Sequence, residues 1–244
     1  MTDRRGWIAR IAMRDTWLNL TQEPIEDPDL EIVDPHHHLW NREGAVYERE
    51  VLWRDTGSGH RVVQTIFIEC RTSYHENGPE HLKPVGETLY AAALAKETQQ
   101  QTTNAVISGI VGRIDLRDPK RDEALDAHEV AAEGLFRGIR QAPAYDRIDF
   151  DHLTVPGHGP EGLLYDEQYR EGIARLGKRG LTFDSWHYHT QNRDFLACAK
   201  AVPQTKMIMD HFGTPLGVGR FEGKRADVFA QWKEDIAEIA KCPN

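Results

Sequence analysis

Five short segments end in side chains able to bind a metal, polarise a carbonyl or grip an anion. The first is Asp34-Pro35-His36-His37-His38-Leu39-Trp40, where His36 and His38 are two residues apart. On an extended strand that spacing puts both imidazoles on one face and His37 on the other. Others are Glu69-Cys70-Arg71, Arg140-Gln141, His187-Tyr188-His189 and Asp210-His211. Neutral ring nitrogens of His36, His38, His189 and His211 suit a zinc-like divalent ion. They equally suit metal-free polarisation of a carbonyl by placed hydrogen-bond donors. Arg140 matches a carboxylate with its planar fork, or closes a salt bridge within the site. Glu69 is read as a substrate hydrogen-bond partner, a histidine orienter or half of a buried ion pair. Asp34 is assigned to orienting backbone or a histidine. Tyr74 and His75 sit within reach of substrate, and His37 and His187, on the opposite parity, are read as structural.

Such groups converge only if the elements beneath them run parallel. Apolar runs bounded by Gly, Pro or polar clusters predict strands at Glu31–Asp34, Val62–Cys70, Ala105–Leu116, Phe136–Gln141, Gly180–His189 and Lys206–Phe212. Helical patterns fall between them at Val85–Gln100, Arg121–Leu135, Asp166–Lys178, Arg193–Ala201 and Ala226–Lys241. Strand alternating with helix predicts a parallel α/β fold, whose sites lie at the carboxyl ends of the strands. Residues 1–29 read as an extension with one short amphipathic helix, and 30–244 as the catalytic domain. The Ala142–Glu161 segment, with three prolines, reads as a long loop walling a site.

The chain has 244 residues, a net charge of −9 and 39% hydrophobic residues, enough apolar material for a full core. The acidic balance argues against nucleic acid as a partner. No stretch approaches the ~18 apolar residues of a membrane span. Cys70, Cys198 and Cys242 are too few and too scattered for a disulfide framework. With no secretory h-region, a cytoplasmic location is expected. Oligomeric state stays open, a homo-oligomer included.

The segments D-P-H-H-H-L-W (34–40), F-I-E-C-R-T-S-Y (67–74), F-R-G-I-R (136–140), Y-H-T-Q (188–191) and M-D-H-F-G-T-P (209–215) resemble the amidohydrolase-related (amidohydrolase 2) family. Within it they are similar to the branch of predicted metal-dependent TIM-barrel hydrolases that contains lactonases. The resemblance implies a (β/α)₈ TIM-barrel fold, of which about six βα units fit in this chain. It implies catalytic or metal-ligating roles for His36, His38, His189 and His211, and a substrate role for Arg140 and for Gln191 in Y-H-T-Q. The implied substrate is a carboxylated or sugar-acid lactone opened by water, with a metal-dependent decarboxylase of the same superfamily as the alternative. Thr190 stands where relatives commonly have Pro. The family's eighth-strand Asp has no counterpart before Asn244. By the resemblance, this looks like a C-terminally truncated chain with unpaired sheet edges. That leaves an inactive remnant as a further alternative.

Overall fold

The computed structural model describes residues 17, 20–21, 23–42, 45–148 and 158–244. The expected amphipathic helix of the N-terminal extension lies almost wholly outside the described residues, as does the 149–157 part of the expected wall loop.

The strands are β1 (Glu31–His37), β2 (Trp40–Arg42), β3 (Ala45–Tyr47), β4 (Arg61–Ile68), β5 (Val106–Gly112), β6 (Phe136–Arg140), β7 (Thr182–Ser185) and β8 (Met207–Met209). Six of them form one curled parallel sheet in the order β1-β4-β5-β6-β7-β8, the half-barrel of a TIM-barrel fold. Register shifts between Ile32 and Val33, Thr65 and Ile66, and Ile110 and Val111 break the flat ladder, and such bulges sharpen its twist. The helices are α1 (Arg49–Thr56), α2 (Val85–Thr98), α3 (Arg121–Ala131), α4 (Glu167–Lys178), α5 (Asn192–Ala201) and α6 (Arg225–Ile239). Phe67, Ile107, Ile110, Ile139 and Phe183 from the strands meet Ala91, Ala95, Leu125, Tyr169, Ile173 and Phe195 from the helices in one core. The central strands β5, β6 and β7 are buried on both faces, which accounts for the near-continuous apolar run of β5.

Predicted and observed helices agree closely at their starts, Val85 and Arg121 among them. Asp166 is not the first helical residue but the N-cap of α4, its carboxylate accepting the Tyr169 N–H at 2.8 Å. In β6, Gly138 lies against β7, and a Cβ there would stand 2.5 Å from the Thr182 carbonyl oxygen. Side-chain absence at 138 therefore lets the strand carrying Arg140 pair with its neighbour. The expected strands at 180–189 and 206–212 are shorter, ending at Ser185 and Met209. Beyond β7 the chain turns into a 3₁₀ segment, His189–Gln191, and beyond β8 into a tight turn over Asp210–Gly213. The β2–β3 hairpin and α1 are additional to the predicted elements. Among the described residues β1 pairs only with β4 and β8 only with β7, while the Met207 N–H donates to the Asn244 carbonyl at 2.9 Å.

His128 of α3 is buried between layers. Its Nε2–H faces the Arg113 carbonyl at 3.1 Å and its Nδ1 accepts from the Thr88 hydroxyl at 2.7 Å. Burial pushes this imidazole down to about 4, so it is neutral at pH 7. Its folded pKa lies below the ordinary 6.5, so stability is full above 6.5 and declines as pH falls towards 4. His128→Leu leaves a carbonyl and a hydroxyl unpaired and should cost about 1–3 kcal/mol at pH 7.5. Urea unfolding at pH 7.5 and 4.5 checks it: the deficit should shrink at the lower pH, where the wild-type protein carries the burden of its buried imidazole.

Candidate active site

The rim at the carboxyl ends of the parallel strands gathers a ring of ionisable groups. β1 delivers His36, with His38 just beyond it, and their rings meet edge to face at 5.0 Å between centroids. That contact fulfils the parity expectation. Asp34 receives the His36 backbone N–H at 3.1 Å, so it shapes the strand end. His38 Nδ1–H donates to the Ile68 carbonyl at 2.8 Å, which fixes its tautomer and leaves the Nε2 lone pair available. After β8, Asp210 and His211 approach from the far edge. The His211 ring centroid lies 4.7 Å from that of His36, and Asp210 Oδ1 is 3.9 Å from His36 Nδ1.

Charge at the rim is organised around Arg140. Its Nε–H donates to Asp210 Oδ2 at 2.8 Å, and its Nη1 lies 3.5 Å from Glu69 Oε1. Arg113, directly after β5, stands 3.9 Å from the same Glu69 oxygen. The guanidinium of Arg140 also lies over the Trp186 ring, 5.6 Å from its centroid. Burial, with His38 and Arg140 close by, pushes His36 down to about 3. Burial also lowers His38. Both imidazoles are therefore neutral at pH 7 and offer lone pairs rather than charge. Burial raises Glu69 and Asp210 despite their arginine partners.

Beside this group is a cavity of about 280 Å³ whose lining includes Arg42, Arg71, Arg113, Arg140, Glu69 and Trp186. Four guanidinium groups against one carboxylate make it an anion-seeking recess. Arg71 enters it from a left-handed backbone position, φ 63. That loop is held by buried Glu87, one of whose oxygens accepts the backbone N–H groups of Cys70 and Thr72 at 2.8 and 2.9 Å.

His36, His38, His211, Arg140 and Glu69 are thus brought together, as their strand-end positions predict. His189 stands outside this group. Its Nδ1 accepts from the Leu216 N–H at 3.3 Å, its ring packs on Phe221, and it lines a separate cavity with Arg193 and Arg220. Gln191 is engaged with backbone, donating to the Pro143 carbonyl and accepting from the Tyr145 and Tyr188 N–H groups. The Tyr74 hydroxyl is buried without a partner among the described residues. His187 lies between Ser185 and Asn192, in keeping with a structural role. Sequence reasoning placed Asp210 and Arg71 at strand ends without giving either a role, and passed over Arg113, Arg42 and Trp186. Asp210 carried the strand-end signal already used for its neighbour His211.

Among the described residues His36, Asp210 and His211 each offer a ligand atom, all within 4.8 Å of one another. His36 Nε2 is buried with no hydrogen-bond partner, as a nitrogen reserved for a metal would be. This set of three donors fits a divalent ion that takes N and O ligands, and the His38 Nε2 lone pair stays free beside it.

The family model described as Amidohydrolase matches residues 33–244. An uncharacterised protein, y4mH, from Sinorhizobium fredii is 28% identical over 231 residues, covering 88% of this chain and 71% of that protein. Among solved structures, an amidohydrolase from Burkholderia multivorans with bound HEPES is similar at a TM-score of 0.59 and 20% identity, over 86% of this chain and 67% of that one. A second crystal form with bound zinc gives 0.58 and 21%, over 86% and 66%. At these identities the structures establish a shared fold. No described helix is long and apolar enough to cross a membrane.

Proposed function

The chain belongs to the amidohydrolase family, and on that premise we propose that it hydrolyses a cyclic ester carrying a carboxylate, with one divalent metal ion at the rim. The observation that carries the reading is the arginine-lined recess opening beside neutral imidazoles and a buried carboxylate. A lactone carboxylate placed among Arg42, Arg71 and Arg113 would set the ring carbonyl towards His36 and His38. His36, Asp210 and His211 would hold the ion; the Burkholderia multivorans amidohydrolase has zinc bound in one of its crystal forms. Such an ion supplies polarisation of the carbonyl and a more acidic water.

The chain's own groups do the rest. Arg140 keeps Asp210 and Glu69 compensated and is itself part of the lining of the recess. His38 Nε2, neutral and unprotonated, accepts a proton from water as the water oxygen bonds to the carbonyl carbon. Breaking the ring C–O bond then returns that proton to the departing alkoxide, and the product is a ring-opened hydroxy acid.

The test is a panel of carboxylated and neutral lactones, followed by ring-opened product and by carbon dioxide, with metal content measured on the same preparation. Carboxylated lactones should be opened preferentially. His38→Ala should lower the rate by about 10²–10³-fold, the scale for removing one placed catalytic group. Carbon dioxide release without ring opening would replace this reading with a decarboxylase. Equal rates for neutral and carboxylated lactones would remove the assigned role of the arginines.

A further inference from the structure

The residues after β8 adopt an unusual backbone. His211 (φ 51, ψ 35), Phe212 (φ 56, ψ 31), Gly213 (φ 70) and Thr214 (φ 41, ψ 69) are consecutive and all left-handed. The turn closes with the Thr214 N–H donating to the His211 carbonyl at 2.9 Å. Three of the four carry a Cβ, which crowds the backbone in this conformation, most of all for a bulky residue such as Phe. Burial of Phe212 does not offset the crowding, because its side chain is 74% exposed. Something outside the turn must hold it.

Besides the His189 N–H, which donates to the Thr214 carbonyl at 3.3 Å, two contacts are in place. Gly213 fits against Asn192 at the start of α5, where any Cβ would collide with Asn192 Oδ1. From α6, the Trp232 indole N–H donates to the Phe212 carbonyl at 2.6 Å. The His187–Asn192 contact of 3.2 Å braces the first. The second is a direct hydrogen bond to the strained segment, and Trp232 is itself steadied by stacking on Phe229 at 5.5 Å. The product of the turn is the placement of Asp210 against Arg140 and of His211 against His36.

We propose that Trp232 is a positioning residue: its indole N–H clamps the left-handed 211–214 turn and so presents Asp210 and His211 to His36. The consequence for ligand binding rests on the metal reading above, whereas the clamp itself does not. Trp232 touches neither the rim imidazoles nor the arginine recess in any described contact. Its effect on the site passes through the backbone of Phe212.

The experiment compares the unaltered protein with Trp232→Phe, Trp232→His and the double variant Trp232→Phe/Phe212→Gly. Amide hydrogen exchange of residues 211–214 is read in metal-free protein, and zinc affinity by competition with a chelating dye. Trp232→Phe keeps the ring but loses the donor; exchange in the turn should rise and zinc affinity fall, each about tenfold. Trp232→His, which keeps a ring N–H, should fall less. In the double variant, glycine removes the steric reason for the clamp, so both readings should recover to within about threefold of the unaltered protein. Unchanged exchange in Trp232→Phe overturns the proposal, as does a double variant no better than Trp232→Phe. Absence of zinc binding by the unaltered protein would refute the metal reading, while exchange still decides the clamp. Should Trp232→Phe not fold, the Trp232 indole proton decides, assigned by its contacts to Phe229: slow exchange supports the clamp and solvent-rate exchange refutes it.

Discussion

Arg140→Met should destabilise the protein by about 3–5 kcal/mol at pH 8, the scale for removing one partner from a buried ion pair. The side chains of Asp210 and Glu69 are 1% and 5% exposed, and Arg140 compensates both from 2.8 and 3.5 Å. Methionine fills much of the volume and supplies no charge, so two buried carboxylates lose a neutralising neighbour. Burial already raises both, with Arg140 opposing the rise, and its removal lifts them further. A carboxyl whose folded pKa is raised contributes stability that is present at low pH and lost as pH rises through that pKa. The deficit should therefore be largest in alkali and shrink as pH falls and the carboxyls take up protons. Denaturant titrations at pH 8 and pH 5 measure it. A deficit that is equal at both pH values would mean that packing over Trp186, and not charge, is what Arg140 contributes. Hydrolysis should fall as well, because Asp210 would no longer be held at the rim.

That arginine was legible from sequence because one rule, polar groups at the carboxyl ends of parallel strands, needs only approximate boundaries. The same rule failed one strand earlier. Reading the third predicted strand through Leu116 placed Arg113 inside it, whereas β5 stops at Gly112 and Arg113 is the strand-end residue facing Glu69. His36 and His38 were legible because alternation of period two is a local property. His189 and His211 were projected from strands that end sooner. After β7 a 3₁₀ turn faces His189 towards Phe221 and Leu216, and after β8 the backbone becomes left-handed. Nothing in D-H-F-G-T announces left-handed His and Phe, because the cause lies in Asn192 on the preceding helix and Trp232 on the following one. Arg71 is similar: its backbone geometry depends on Glu87, far along the chain. The β2–β3 hairpin strands are three residues each, too short for a period. In α1 the apolar residues are the adjacent Val51, Leu52 and Trp53, which trace no helical stripe.

Asp184→Asn should act in the opposite direction and stabilise the protein. Asp184 lies in β7 in register with Arg140, yet it is Asp210 that Arg140 grips through Nε. Buried, and with the Asp210 charge nearby, Asp184 is pushed up to about 7 from an ordinary 3.8. Its folded pKa exceeds its unfolded one, so folding takes up a proton between those values. Stability is gained on acidification and lost as pH rises through 7. Asparagine keeps an oxygen to accept the Thr182 hydroxyl, which donates to Asp184 Oδ1 at 3.2 Å, and it removes the titrating charge. The variant should be more stable by about 2–4 kcal/mol at pH 8, below the full linkage value because water and relaxation soften a buried charge. The advantage should narrow as pH falls below 7 and close near 4, where wild-type Asp184 is protonated in both states. Paired urea titrations across pH 4.5–8.5 track the narrowing. A variant less stable at pH 8 would show instead that the Asp184 carboxylate is held by Arg140 as firmly as Asp210, and that the two acids share one guanidinium at the rim.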